Sequence, residues 1–236
     1  MWKTITFEVV GAVATVALAL HLLRRILRER ELRRREPERF FHGADGVVEE
    51  SRLEHTGAVG YPRLAGRYRG FAVQVLPVVD TLATRRLPAL WLLVTLQDAL
   101  PIKSRLDLMM RPAGPTTFSN FDLLPFTVDR PAGFPEHAVL RTDDPQHLLA
   151  LEAIAPHVDV FQDARAKELL ITPNGVRLVW LLAEASRARY GVFREADFGG
   201  AALDPALLSD LLDRLIAIRQ SVLDAAPLTA AAAANE

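Results

Sequence analysis

The chain has 236 residues, 24% of them charged, with 28 Lys and Arg set against 29 Asp and Glu for a formal net charge of −1. It has no cysteine, which excludes disulfides, thiolate catalysis and cysteine-ligated metals and fits a reducing compartment. Residues 1–39 carry nine basic and five acidic side chains, leaving residues 40–236 at −5, a balance that argues against nucleic acid as a partner.

Twenty residues between Lys3 and Arg24, TITFEVVGAVATVALALHLL, contain one charge, Glu8, and one other ionisable group, His21. At about 1.5 Å of rise per residue such a helix spans roughly 30 Å, the thickness of a bilayer's hydrocarbon core. Glu8 lies near the start, within reach of headgroups. An arginine-rich run follows, from Arg24 to Arg39, interleaved with four glutamates, and Pro37 ends the helix. The positive-inside rule places that flank in the cytoplasm, with the N-terminus outside. Residues 1–37 therefore read as a single transmembrane helix with an Arg-rich cytoplasmic extension. Arg24, Arg25 and Arg28 are the candidate contacts with anionic headgroups. Gly11, Thr15 and Ala19 recur every four residues and form a small-residue ridge on which a second helix can pack. The competing reading is export with a cleaved signal peptide, since Ala12-Val13-Ala14 and Ala17-Leu18-Ala19 both fit the small-x-small pattern. The single lysine before the apolar stretch and the arginines after it oppose export.

Residues 38–60 read as a linker followed by an irregular entry segment, residues 61–226 as one soluble α+β domain, and residues 227–236 as a flexible tail. Within the domain, Tyr61 to Asp80 gives two short strands around Arg69-Gly70, a hairpin signal. Pro88 to Gln97 is an apolar run suited to a central strand covered on both faces. Arg105 to Arg111 alternates and is expected to pair beside it, antiparallel, because so short a connection cannot cross over. Residues 112–135, dense in Pro, Gly and Phe, form a long excursion. Its Phe118, Phe121, Phe126 and Phe134 either pack back on the core or make an exposed patch for a partner. HAVLRT follows as a strand, and Asp144-Pro145 predicts a capped helix reaching Pro156. Lys167 to Leu182 is a hairpin turning at Thr172-Pro173-Asn174-Gly175. Residues 184–200 carry no clear pattern. A long amphipathic helix from Asp204-Pro205 to about Ala225 presents Leu207, Leu208, Leu211, Leu212, Leu215, Ile218 and Val222 to one side. The fold class is thus α+β, a mostly antiparallel sheet of five to seven strands with this helix packed on it.

The chemistry is sparse. There is no nucleophile elbow, phosphate loop, dinucleotide fingerprint, zinc helix or calcium loop, and no two histidines sit at i, i+4. His42 with Asp45 makes a poor metal pair. Arg141, Asp143, Asp144 and His147 form the densest polar cluster, but Asp144 is claimed by capping. No cofactor is implied, and the reading leans away from an enzyme. The leading expectation is a single-pass membrane-anchored accessory, scaffolding or assembly protein that presents a cytoplasmic domain to a membrane-protein partner or to itself. A membrane-tethered domain binding a lipid or small apolar ligand is the alternative. An enzyme with dispersed catalytic residues is the third reading.

Overall fold

The computed structural model describes residues 39–55, 60–82, 87–193 and 196–233, together with Leu18, Leu20, His21, Leu23 and Arg24. The chain divides into Met1–Arg39 and Phe40–Glu236. Apart from Leu18, Leu20, His21 and Leu23, the apolar segment 4–23, including its Gly11, Thr15 and Ala19 ridge, lies outside the described residues, as do the headgroup contacts Arg25 and Arg28. Arg24 is described and helical. Among the described residues no helix is long and apolar enough to cross a membrane.

Residues from Phe40 onward form an α+β fold on one nine-stranded sheet. The strands are β1 (Glu49–Glu54), β2 (Arg63–Tyr68), β3 (Phe71–Asp80), β4 (Ala89–Gln97), β5 (Leu106–Met110), β6 (Phe126–Val128), β7 (Ala138–Thr142), β8 (Ala166–Thr172) and β9 (Gly175–Glu184). Their order is β1-β2-β3-β4-β9-β8-β5-β7-β6, and every neighbouring pair is antiparallel. Two α-helices follow, α1 (Arg187–Phe193) and α2 (Pro205–Ala233).

Alternation along the strands separates two faces. On one, a row runs across eight strands by register: Leu64, Val75, Val94, Leu178, Leu169, Leu108, Leu140 and Val128. This face meets α2, whose Leu208, Leu211, Leu212, Leu215, Ile218 and Val222 are all buried. Asp204 caps α2, its Oδ1 accepting from Ala206 N at 2.9 Å. The helix is long, as its periodicity predicts, but it continues past Ala225 to Ala233.

The sheet has nine strands rather than five to seven, because β1 and β6 add one at each edge, and three further expectations are corrected. Residues 40–60 are not merely a linker, because Phe40 and Phe41 are fully buried in the main core and β1 forms there. Arg105 to Arg111 does become an antiparallel strand, but β5 pairs with β7 and β8 and is separated from β4 by two strands. The β8–β9 hairpin inserts between them. The link from Gln97 to Leu106 passes across the hairpin turn and is bonded to it, Asp98 N donating to Asn174 O and Leu100 N to Pro173 O. Finally, Asp144 caps as expected, accepting from Gln146 N, but 3₁₀ turns follow at Pro145–His147, Leu151–Ala153 and Ala155–Gln162 in place of an α-helix. Pro145 and Pro156 bracket the segment and each withholds a backbone N–H donor. Burial of Leu149, Ile154, Val158 and Phe161 decides its path instead.

Candidate functional site

The second face of the sheet is where polar chemistry gathers. One register step from the core row, the strands align Gln74, Thr95, Arg177, Leu170, Asp107, Arg141 and Thr127 across β3, β4, β9, β8, β5, β7 and β6. The next row on this face is Leu76, Leu93, Val179, Glu168, Met109 and Val139, apolar except for Glu168. Asp107 and Glu168 are thus diagonal neighbours on adjacent strands. Both are buried, at 2% and 1% exposure.

Two carboxylates so placed cannot both ionise cheaply. Burial, then the charge of Glu168, push the Asp107 carboxyl up to about 10, against the pull of Arg177 and Arg141. Burial also raises Glu168, while hydrogen bonds from Ser119 and Asp107 draw it down. The consistent state at neutral pH is a neutral Asp107 donating to a Glu168 carboxylate. It accounts for the two buried oxygens, Asp107 Oδ1 and Glu168 Oε2, that otherwise have no donor. Ser119 Oγ completes the arrangement by donating to Glu168 Oε1 at 2.6 Å.

Ser119 belongs to a strap, residues 112–125, laid over this face. Phe118 packs on Trp91 with ring centroids 4.8 Å apart, and Phe121 lies under the Arg141 guanidinium at 4.9 Å. Arg141 Nη1 reaches the carbonyls of Phe121, Asp122 and Leu124 at 3.3–3.5 Å. With Leu93, Met109 and Val179, the two phenylalanines make a second, smaller core. The four excursion phenylalanines therefore do not form one partner patch. Phe134 is buried in the main core on the opposite face, and Phe126 stands 47% exposed on β6. Strand alternation and the return of the chain to β7 divide them.

Beside the strap opens a cleft of about 470 Å³, with Asp107 and Glu168 in its floor. Its wall carries Lys103, Asn120, Asn174 and Arg177, with Leu123, Leu124, Pro125 and Pro173 along the rim. Arg177 is held by Nε donating to Thr95 Oγ1 at 3.0 Å, and its terminal amino groups bond no described residue. A second cleft of about 430 Å³ shares Phe118 and is lined by Asp80, Trp91, Lys167 and Glu184.

The cluster suggested by the sequence is not brought together as a site. His147 Nδ1 and Asp144 Oδ2 are 2.7 Å apart in a local turn, and Asp143 Oδ1 accepts from Arg105 N at 2.7 Å. Arg141 instead supports the strap. A serine–histidine contact does occur, His157 Nε2 to Ser221 Oγ at 2.8 Å, but neither residue lines either cleft. The adjacent Asp159 carboxylate is engaged by Arg214 of α2. No group of three or more His, Cys, Asp or Glu residues suited to a metal occurs among the described residues.

No family model matches the chain, and no curated protein matches it. One solved structure, the crystal structure of the mycobacterial trehalose monomycolate transport factor A, TtfA, is similar over 80% of this chain and 95% of that one, with a TM-score of 0.42 and 11% identity. So distant a likeness supports no conclusion about function.

Proposed function

We propose that the chain is a membrane-tethered accessory protein whose sheet domain, held at the cytoplasmic surface, binds a small ligand rather than transforming one. The observation that carries this reading is the 470 Å³ cleft, in which Arg177 stands on β9 while Lys103, Asn120 and Asn174 come from the loops around it. A preformed concavity with a few convergent polar groups is a common form of binding site. The carboxyl pair, which would be the natural acid–base candidate, is already employed in holding Ser119 and the strap.

The tether rests on the apolar stretch 4–23 and its arginine collar. Native mass spectrometry of the full chain, extracted from its own membranes in an uncharged detergent, tests both parts. We expect recovery in the membrane fraction with a non-protein mass retained. Recovery wholly in the aqueous fraction would overturn the tether, and a chain that never carries extra mass would overturn ligand binding.

The same carboxyl pair supports an enzyme as the second reading. Turnover of a retained ligand that stops in Asp107→Asn while binding persists would establish it.

A further inference from the structure

Building on ligand binding at this cleft, we propose that it takes an oxyanion, the phosphate group of an anionic ligand, with Arg177 and Lys103 as its principal partners. The donors point to this choice. Arg177 has its Nε fixed on Thr95 across the β4–β9 register, which leaves two terminal amino groups as a preset fork. A planar guanidinium so oriented matches two oxygens of a phosphate at once. Lys103 at the wall, and the side-chain amides of Asn120 and Asn174, bond no described residue.

The acids of the cleft are already occupied. Asp143 accepts from the backbone of Arg105 and lies 3.5 Å from its Nε. Glu168 is buried, bonded to Ser119, and shares its neighbourhood with a second carboxyl and two arginines. With Asp107 neutral and Asp143 paired with Arg105, Lys103 and Arg177 stand against the single Glu168 carboxylate, so the cleft turns toward an incoming molecule mostly donors and a surplus of positive charge. A metal cation or an amine would meet Lys103 and Arg177 first and be repelled.

The rim favours a ligand that is also apolar. Leu123 is 78% exposed beside Leu124 and Pro125, and no described side chain covers it. A phosphate in the cleft with an acyl chain across Leu123 would use both features. A free phosphate would use only the first.

The test is calorimetric titration of the full chain in an uncharged maltoside detergent with three probes. These are inorganic phosphate, glycerol 3-phosphate, and a short-chain phosphatidylglycerol kept below its micelle concentration. We expect all three to bind, and Arg177→Gln and Lys103→Gln each to weaken binding about tenfold, the loss typical of one charge-assisted hydrogen bond. Lys103→Arg should retain it. Lys103 is exposed, so its variants report even if Arg177→Gln does not fold. Tighter binding of the lipid than of glycerol 3-phosphate identifies a lipid headgroup as the source, and equal binding a soluble phosphate; either outcome supports the oxyanion site. Failure of all three probes, or unchanged affinity in both charge-removing variants, overturns it. A retained native ligand with neither phosphate nor carboxylate would overturn the oxyanion assignment while leaving ligand binding intact.

Discussion

Asp107 on β5 and Glu168 on β8 are buried diagonal neighbours on adjacent strands, and Glu168 fastens the strap to the sheet by accepting from Ser119. The arrangement places a titration directly beneath the cleft. It also makes the pair the most informative place to perturb the domain.

The sign of its effect on stability is set by linkage. Asp107 is raised in the fold from an ordinary value of 3.8 to about 10. A group raised in this way contributes fully below its unfolded value, and that contribution is lost as pH climbs toward the folded one. The wild-type protein should therefore lose stability progressively between 3.8 and about 10. Asp107→Asn keeps a donor to Glu168 without an ionisable proton, so its thermal midpoint should fall less over that range. Near the alkaline end the variant should be the more stable by about 1–3 kcal/mol, the scale of one buried polar group. Midpoint curves for the two proteins that run parallel would show that no proton is shared.

The strap should respond separately from the main core. Phe118→Ala removes a ring packed on Trp91 and should cost about 3 kcal/mol. Ser119→Ala, which leaves Glu168 short of a donor, should cost about 1–3 kcal/mol. Phe126→Ala, at an exposed edge, should change stability by less than about 0.5 kcal/mol. Denaturant titration followed by tryptophan fluorescence measures all three. Equal losses at Phe118 and Phe126 would contradict the division of these rings between a buried face and solvent.

Much of the frame is readable from periodicity. The apolar run at β4, the turn at Thr172–Gly175 and the face of α2 are local patterns, and local patterns survive without knowledge of the partner strand. Strand order is not local. Nothing in RLDLMMR states that the β8–β9 hairpin will lie between it and β4, since the deciding contacts join residues about seventy positions apart. The carboxyl pair is hidden for the same reason, although a signal exists. Asp107 is an acid between Leu106 and Leu108 inside a strand, where a solvent-facing charge would be flanked by others; Glu168, next to Lys167, carries no such mark.

The hairpin turn shows a different limit of sequence reading. The turn pattern singles out Gly175 for its tolerance of positive φ, and its φ is indeed +138°. A stronger requirement is space, because a Cβ there would stand 2.1 Å from the Leu96 carbonyl oxygen. Gly175→Ala should therefore cost about 3 kcal/mol or more, combining backbone strain with a clash against β4. Gly70, at φ +85° with nothing within 4 Å of such an atom, offers the comparison. Gly70→Ala should cost only about 1 kcal/mol. Similar losses in chemical denaturation would mean that conformation alone sets both positions.

Orientation at the membrane is the last expectation open to direct measurement. The apolar stretch 4–23 has Lys3 and the α-amino group on one side, and on the other eight arginines against four glutamates as far as Arg39. Because the retained flank is the one richer in Lys and Arg near the helix end, the domain should lie in the cytoplasm. A reporter that fluoresces only when folded in the cytoplasm, fused after Glu236, should be bright, and an export-dependent phosphatase at the same position should be inactive. Replacing Arg24, Arg25 and Arg28 with Gln removes the three charges nearest the apolar stretch and should shift a measurable fraction of chains to the opposite orientation. Phosphatase activity in the unmodified fusion would instead assign the stretch to export, and the cleft with its Arg177 and Lys103 would then face the other side of the membrane.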